Sequence, residues 1–387
     1  MKKVCHMTSG HRSDDVRIFH KECVSLAKAG YDVFLVAQGE SYEKDGVHVV
    51  GVEKQTGSRL SRMLFTTKNV YKAALSIDAD IYHIHDPELL MYATRLINKG
   101  KKVIFDSHEN YPAQILHKEY LPKPMRLFIA FIYQNYEKYI LKRINAVVIP
   151  CKFGGHNIFE NIAKETVYID NLPILSNIFD SNQKLSYPQV PSICYVGGLT
   201  YSRGITHLIK ASYGAGVKLI LCGNFNPIEY HSQLMELPEY ECVDYRGFLN
   251  RDQVVDVYRE SLIGMCTILN VGQYNKGDNF ATKVYEYMSM GLPVIITDSP
   301  YARKVMEEYG FGICVQPDNV EEIASAIRYL LDNPDIAKQM GENGRRAVLD
   351  KFNWGIEEKK LIKLYDDLFS KAKQKMAGKT KRNGAIV

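Results

Sequence analysis

The chain has 387 residues, of which 46% are hydrophobic and 24% charged, and carries a net charge of +5. This composition excludes a disordered chain, and the length suits two domains of ordinary size better than one core. So mild a charge points to no nucleic-acid partner, no apolar run is long enough to cross a bilayer, and the N-terminus does not resemble a signal peptide. The eight cysteines form no Cys-x-x-Cys pair, and several sit in apolar runs, which reads as reduced core thiols in a cytoplasmic protein.

Residues 2–7 predict a first strand, followed by a loop at Thr8-Ser9-Gly10-His11. Asp14 or Asp15 can cap the next helix, whose apolar positions are Val16, Phe19, Cys23, Leu26 and Ala27, and Asp32–Gln38 is the second strand. This is a βαβ opening, the start of a parallel sheet. It lacks a Gly-x-Gly-x-x-Gly turn, so a hydride-transferring dinucleotide enzyme is a poor fit. Further strands are expected at 48–52, 80–85 and Lys102–Asp106. Asp78-Ala-Asp80 marks a helix-to-strand boundary and reads as a capping and surface pair. His83 and His85 face one side of a strand, but no third ligand stands at a suggestive spacing, so no metal site is expected. Val103-Ile-Phe-Asp-Ser-His108-Glu109 runs off a buried strand into a polar loop, where ligands bind in open α/β sheets.

The stretch 121–144 predicts a helix with Met125, Phe128, Ile129, Ile132, Tyr133 and Tyr136 as its buried stripe, yet Leu127, Ala130 and Phe131 lie off it. Two readings stay open: a wide core contact, or a surface for membrane or a lipid-linked substrate flanked by Arg126, Lys138, Lys142 and Arg143. Strands at 146–150 and 166–170 finish the first series, and 171–191 is the candidate linker. A second βαβ series follows, with strands at Ser192–Val196, 217–222, 241–246, 264–269, 293–297 and Gly312–Val315. Two doubly wound parallel-sheet domains facing across a cleft are the architecture this pattern predicts. The chain ends in a basic stretch, Lys371, Lys373, Lys375, Lys379, Lys381 and Arg382, which is either a solvated tail or an electrostatic anchor to an anionic membrane surface.

Two segments of the second series carry chemistry. Gly197-Gly198-Leu199-Thr-Tyr-Ser-Arg203-Gly204 follows a strand and opens a helix, where backbone amides and Arg203 can hold a diphosphate. Asp278-Asn-Phe-Ala-Thr-Lys283-Val-Tyr-Glu286-Tyr-Met-Ser-Met-Gly291-Leu-Pro293 then predicts an amphipathic helix starting near Asp278, with Phe280, Val284, Tyr287 and Met288 on its inner face.

That last stretch, an acidic residue, seven others, and Glu-Tyr-Met-x-x-Gly-x-Pro-Val-Ile, resembles the donor-site signature of retaining glycosyltransferases of family 4, which have the two-domain GT-B fold. Family members usually carry Glu at both acidic positions; here the first is Asp278. The resemblance implies that Glu286 binds ribose hydroxyls of a nucleotide-diphospho-sugar and that Asp278 reaches the transferred sugar. It makes Gly197, Gly198 and Arg203 diphosphate contacts, although Gly198 stands where Arg is common and Arg203 where Lys is usual; Lys283 is expected to supply the missing charge. Asn224 and the Gly247-Phe248-Leu249 segment are expected near the nucleotide. In the opposite domain, Gly10 and His11 are expected near the reacting sugar and His108 hydrogen-bonded to it. The implied activity is metal-independent, cofactor-free transfer of a hexose to a glycan or lipid-linked acceptor in cell-surface polysaccharide synthesis. An epimerase of the same fold and a non-catalytic nucleotide binder are the alternatives. The expected division is an acceptor-side domain over 1–175, a nucleotide-sugar domain over 176–352, a helix over 353–372 that crosses back to the first domain, and a basic tail over 373–387. A cytoplasmic location, peripheral on the inner membrane face, would follow.

Overall fold

The computed structural model describes residues 2–53, 59–107, 110–116, 122–175, 191–271 and 275–383, with side chains described outside 59–63 and 371–383. The chain divides into two compact units, Met1–Asn171 with Gly355–Val387, and Leu172–Trp354. Most of the expected linker, residues 176–190, lies outside the described residues.

The first unit is built on β1 (Lys3–Arg12), β2 (Asp32–Gln38), β3 (Tyr42–Lys44), β4 (Val47–Val52), β5 (Ile81–Ile84), β6 (Lys102–Asp106), β7 (Ala146–Ile149) and β8 (Thr166–Tyr168). Their order in the sheet is β3-β4-β2-β1-β5-β6-β7-β8, parallel except for the antiparallel edge pair β3–β4. The fully buried β7, Ala-Val-Val-Ile, reads as an unbroken apolar run because helices cover both faces. Those helices are a π-helical turn Val16–Cys23 running into α1 (Val24–Lys28), then α2 (Arg59–Ile77), α3 (Ala93–Asn98), α4 (Tyr111–Leu116) and α5 (Lys123–Leu141).

Two local expectations are corrected here. Thr8–Gly10 do not leave the sheet: β1 continues to Arg12, and its register with β2 shifts between Met7 and Arg12. Asp86 explains the shift, because its carboxylate takes hydrogen bonds from the Ser9 amide (2.6 Å), the Gly10 amide (3.2 Å) and the Thr8 hydroxyl (2.8 Å). The second correction concerns α5. Its buried positions are Ala130, Glu137, Ile140 and Leu141, while Met125, Phe128, Ile129 and Ile132 of the expected stripe are exposed. The helix has turned its acidic Glu137 inward, bonded to the Tyr133 hydroxyl at 3.2 Å, and burial pushes that carboxyl up to about 7.

The second unit holds β9 (Ser192–Val196), β10 (Lys218–Cys222), β11 (Val243–Tyr245), β12 (Ile263–Cys266), β13 (Val294–Thr297) and β14 (Gly312–Val315), ordered β11-β10-β9-β12-β13-β14 and all parallel. Around it lie α6 (Ile205–Gly214), α7 (Glu229–Met235), α8 (Arg251–Arg259), α9 (Thr282–Ser289), α10 (Pro300–Tyr309), α11 (Val320–Asp332) and α12 (Pro334–Asp350). The strand order reverses between β9 and β12, so the loops leaving those strands mark the point where open α/β sheets bind ligands. The last helix, α13 (Trp354–Asn383), belongs from Gly355 onward to the first unit, where Asp366 accepts hydrogen bonds from Lys2 and Tyr31. Its backbone stays helical to Asn383, so the expected tail begins inside a helix.

Candidate functional site

In the second unit the predicted residues gather at the switch point. Gly197 follows β9 with φ 137°, and a Cβ there would stand 2.8 Å from Lys283 Nζ. The ammonium therefore occupies the space a side chain would fill, and it also stands 3.4 Å from the centroid of the Tyr195 ring. Gly204 closes a turn of 3₁₀ helix at Tyr201–Arg203 and caps α6 with φ 74°. A Cβ on Gly204 would sit 2.1 Å from the Thr267 carbonyl, so the loops after β9 and β12 touch through backbone alone. The neighbouring loop joins them: Leu199 donates to the Asn224 carbonyl at 3.0 Å, and Gly223 donates to the Gly247 carbonyl at 2.7 Å. Gly198, Asn224 and Phe248 are exposed around this floor.

Helix α9 carries Lys283 and Glu286 because Val284, Tyr287 and Met288 pin its other face into the core, each worth roughly 1.5–3 kcal/mol of burial. The Tyr287 hydroxyl also accepts from the Val196 amide at 3.1 Å, fixing the end of β9 against the helix. Sequence reasoning placed the helix start near Asp278, but α9 begins at Thr282 with Ala281 in the capping position. A bend at Asp278 and Asn279 precedes it, so Asp278 belongs to the loop. Ala281 at the N-cap makes no side-chain cap, and the α9 N-terminus is the positive end of the helix dipole, which favours an anion. Glu286 is held from two sides: Arg251 Nη1 donates to Oε1 at 2.7 Å and the Tyr258 hydroxyl to Oε2 at 2.7 Å. Each oxygen keeps a further lone pair for a ligand hydroxyl. Burial draws the Lys283 ammonium down to about 7, and Arg203 pushes the same way.

Nothing in the linear pattern marked Arg251 or Tyr258, which lie 35 and 28 residues before Glu286. The arrangement suits a dianionic group with a polyhydroxylated neighbour: two cations and a helix N-terminus at one end, an oriented carboxylate at the other.

In the first unit, Gly10 and His11 line an open groove of about 470 Å³ with Arg12, Ser13, Asp14, Gln38, Gly39 and Tyr42. His11 lies 3.5 Å from Asp15 and 3.6 Å from Asp86, and the hydrogen bond to Asp15 raises its pKa. Asp15, the residue that caps the π-helical turn, accepts from the Arg17 and Ile18 amides. His108 and Glu109 lie outside the described residues. The strand leading to them is firmly set: Arg17 donates to both Asp106 oxygens, at 2.8 and 3.1 Å, and to the Ile169 carbonyl at 3.1 Å. His83 and His85 do acquire partners, contrary to the sequence expectation, since His6 and Glu22 stand with them in the core.

Comparison with known proteins fits this geometry. Residues 177–347 match the family model described as Glycosyl transferases group 1, and residues 17–169 match Glycosyltransferase Family 4. An uncharacterised glycosyltransferase of Methanocaldococcus jannaschii is 25% identical over 45% of this chain and 44% of its own length. One from Haemophilus influenzae is 22% identical over 92% of this chain and 98% of its own. A phosphatidyl-myo-inositol mannosyltransferase of Mycobacterium leprae is 22% identical over 75% of this chain and 74% of its own. Among solved structures, sucrose-phosphate synthase of Thermosynechococcus elongatus superposes with a TM-score of 0.76 at 16% identity, covering 96% of this chain and 100% of that one. Anabaena HepE in complex with UDP and glucose gives 0.71 at 13% identity, covering 95% and 100%.

Proposed function

The chain belongs to glycosyltransferase family 4 and has its GT-B fold, and we propose that it transfers a hexose from a nucleotide-diphospho-sugar, with retention, to a glycan or lipid-linked acceptor of the cell surface. The observation that carries this reading is the convergence of Lys283, Arg203 and the Gly197 turn beside a Glu286 already oriented by Arg251 and Tyr258. Transfer leaves a nucleoside diphosphate, and the two cations with the α9 amides would stabilise the charge that develops on it. Glu286 would hold the ribose hydroxyls, Asn224 and Gly247-Phe248-Leu249 would border the base, and Asp278 would meet the sugar. Gly10 and His108 of the first domain would also meet the sugar. In this scheme the diphosphate's partners are amino-acid cations, and transfer needs no divalent ion. Retention follows from a front-face reaction in which the leaving phosphate helps deprotonate the acceptor hydroxyl.

The acceptor class rests on α5. Leu127, Phe128, Phe131 and Ile132 are exposed, Phe128 and Phe131 by 64% and 65%, on a helix that also carries Arg126 and Lys138 and is followed by Lys142 at its C-terminal cap. Aromatic and basic residues on one helix suit a headgroup interface, so the enzyme would work at the inner membrane face on a lipid-linked acceptor. Among the described residues no helix is long and apolar enough to cross a membrane.

The test is release of nucleoside diphosphate across a panel of nucleotide-sugars, with lipid-linked and soluble glycan acceptors, and the product's anomeric configuration read by NMR. Acceptor-dependent release with retained configuration, undiminished by chelator, is expected. Inversion, or conversion of the donor with no acceptor present, would overturn the reading.

A further inference from the structure

Three histidines and a glutamate from separate parts of the first unit meet in its core. His6 lies on β1, Glu22 on the π-helical turn, His83 on β5 and His85 just beyond it, and each side chain is wholly buried. Nitrogens of all three imidazoles point at one atom: His6 Nδ1, His83 Nδ1 and His85 Nε2 lie 3.9, 3.8 and 3.9 Å from Glu22 Oε2. Those distances are too long for hydrogen bonds, and the nearer neighbours of Glu22 are Arg17, at 3.2 Å from Oε1, and Asp106. The imidazole separations are near those of ligands sharing an ion. One candidate ligand atom from each residue lies within 4.8 Å of the other three, with His6 Nδ1 and His85 Nε2 2.9 Å apart. Zinc–nitrogen and zinc–oxygen bonds of roughly 2.0–2.2 Å put tetrahedral ligand atoms about 3.3–3.6 Å apart, and the separations here, a 2.9 Å hydrogen bond between His6 and His85 and 3.8 to 3.9 Å from each imidazole to Glu22, lie on either side of that value.

The surroundings of two of the histidines also fit a metal. Ligating histidines characteristically bond through their second ring nitrogen to an outer partner. Here His6 Nε2 is 3.1 Å from the Tyr365 hydroxyl and His85 Nδ1 is 3.5 Å from the Asp106 carboxylate.

We propose that His6, Glu22, His83 and His85 form a buried four-coordinate site for one divalent transition metal, zinc by ligand type. Three imidazoles and one carboxylate match zinc, whereas magnesium and calcium call for six or more oxygens. The site is structural. It ties β1 to β5 and, through the Tyr365 hydroxyl on His6 Nε2, to helix α13; the same hydroxyl stands 2.9 Å from His83 Nδ1, a hydrogen bond that coordination at that nitrogen would replace. It also backs Asp106, the last residue of β6. It is separate from the proposed donor chemistry and does not depend on that reading.

The test uses the full chain. Protein is unfolded with chelator, refolded with zinc or with chelator, freed of loose ions, and analysed for metal by mass spectrometry. About one zinc per chain in the zinc-refolded protein, a higher melting temperature than in the chelator-refolded one, and loss of the ion in Glu22→Gln and His83→Gln are expected. Should those variants fail to fold, X-ray absorption of the zinc-loaded wild type decides, with a nitrogen and oxygen shell at about 2.0 Å expected. No retained zinc, sulfur ligation by the buried cysteines, or undiminished zinc in folded variants would each overturn the proposal.

Discussion

Lys283 offers a way to read diphosphate binding through a proton. Its amine stands against Gly197 and the Tyr195 ring, and burial, with Arg203 adding to it, lowers its pKa from the ordinary 10.5 to about 7. The sign follows: below about pH 7 the free protein holds the charged ammonium, and above it the neutral amine. A diphosphate favours the ammonium, so binding near pH 8 must draw in a proton. Affinity should then be flat below about pH 7 and fall about tenfold per pH unit above it, roughly 1.4 kcal/mol per unit, until the bound-state pKa is reached. Calorimetric titration with a nucleotide-sugar, whose diphosphate diester keeps its charge over this range, measures both quantities. In buffers of different ionisation enthalpy at about pH 8, close to one proton should be taken up per ligand bound. Lys283→Met should abolish the uptake and flatten the pH dependence. Binding without proton uptake, and independent of pH from about 6.5 to 8.5 in the wild type, would refute this placement of the amine.

Four other outcomes follow from named contacts. Glu286→Ala should cost about 1.5–3 kcal/mol of nucleotide-sugar affinity in the same titration, and Tyr258→Phe, which removes only the hydroxyl bonded to Oε2, should cost less. Gly204→Ala must place a methyl 2.1 Å from the Thr267 carbonyl at φ 74°, so its melting temperature should fall and its donor affinity with it; unchanged values would mean that the loop is laxer than drawn. Arg17→Met strands the buried Asp106 carboxylate and should destabilise the first domain by about 3–5 kcal/mol in denaturant unfolding, with a loss below about 1 kcal/mol contradicting the pairing. Phe128→Ser with Phe131→Ser on α5 should weaken sedimentation with anionic vesicles while leaving transfer to a soluble acceptor analogue intact.

How much was legible in the sequence depended on whether the signal was local. Lys102–Asp106, Ser192–Val196 and Gly312–Val315 were placed to the residue because they are short apolar runs bounded by turn residues. The edge strand Tyr42–Lys44 escaped because all three of its side chains are exposed and polar pairing leaves no periodic trace. The stripe on α5 was misjudged for the opposite reason: apolar spacing pointed one way, and tertiary packing buried Glu137 instead. Glu286, Lys283, Arg203 and Gly197 were marked by a dense local pattern. Arg251 and Tyr258, which orient Glu286, were not, because only folding brings α8 beside α9. The same holds for His6 and Glu22, whose distance from His83 and His85 along the chain hid a group that is close-packed in the core.

The measurement that bears most directly on the central claim is thermal stabilisation of the wild type and of Lys283→Met and Glu286→Ala by a panel of nucleoside diphosphate sugars. A ligand that binds only the folded protein raises its melting temperature in proportion to its affinity. At least one nucleotide-sugar should stabilise the wild type, its nucleoside diphosphate should retain much of the effect, and both variants should lose most of it while remaining folded. A panel that leaves the wild type unmoved, or a shift that survives in both variants, would contradict a donor site at the Gly197 turn and helix α9.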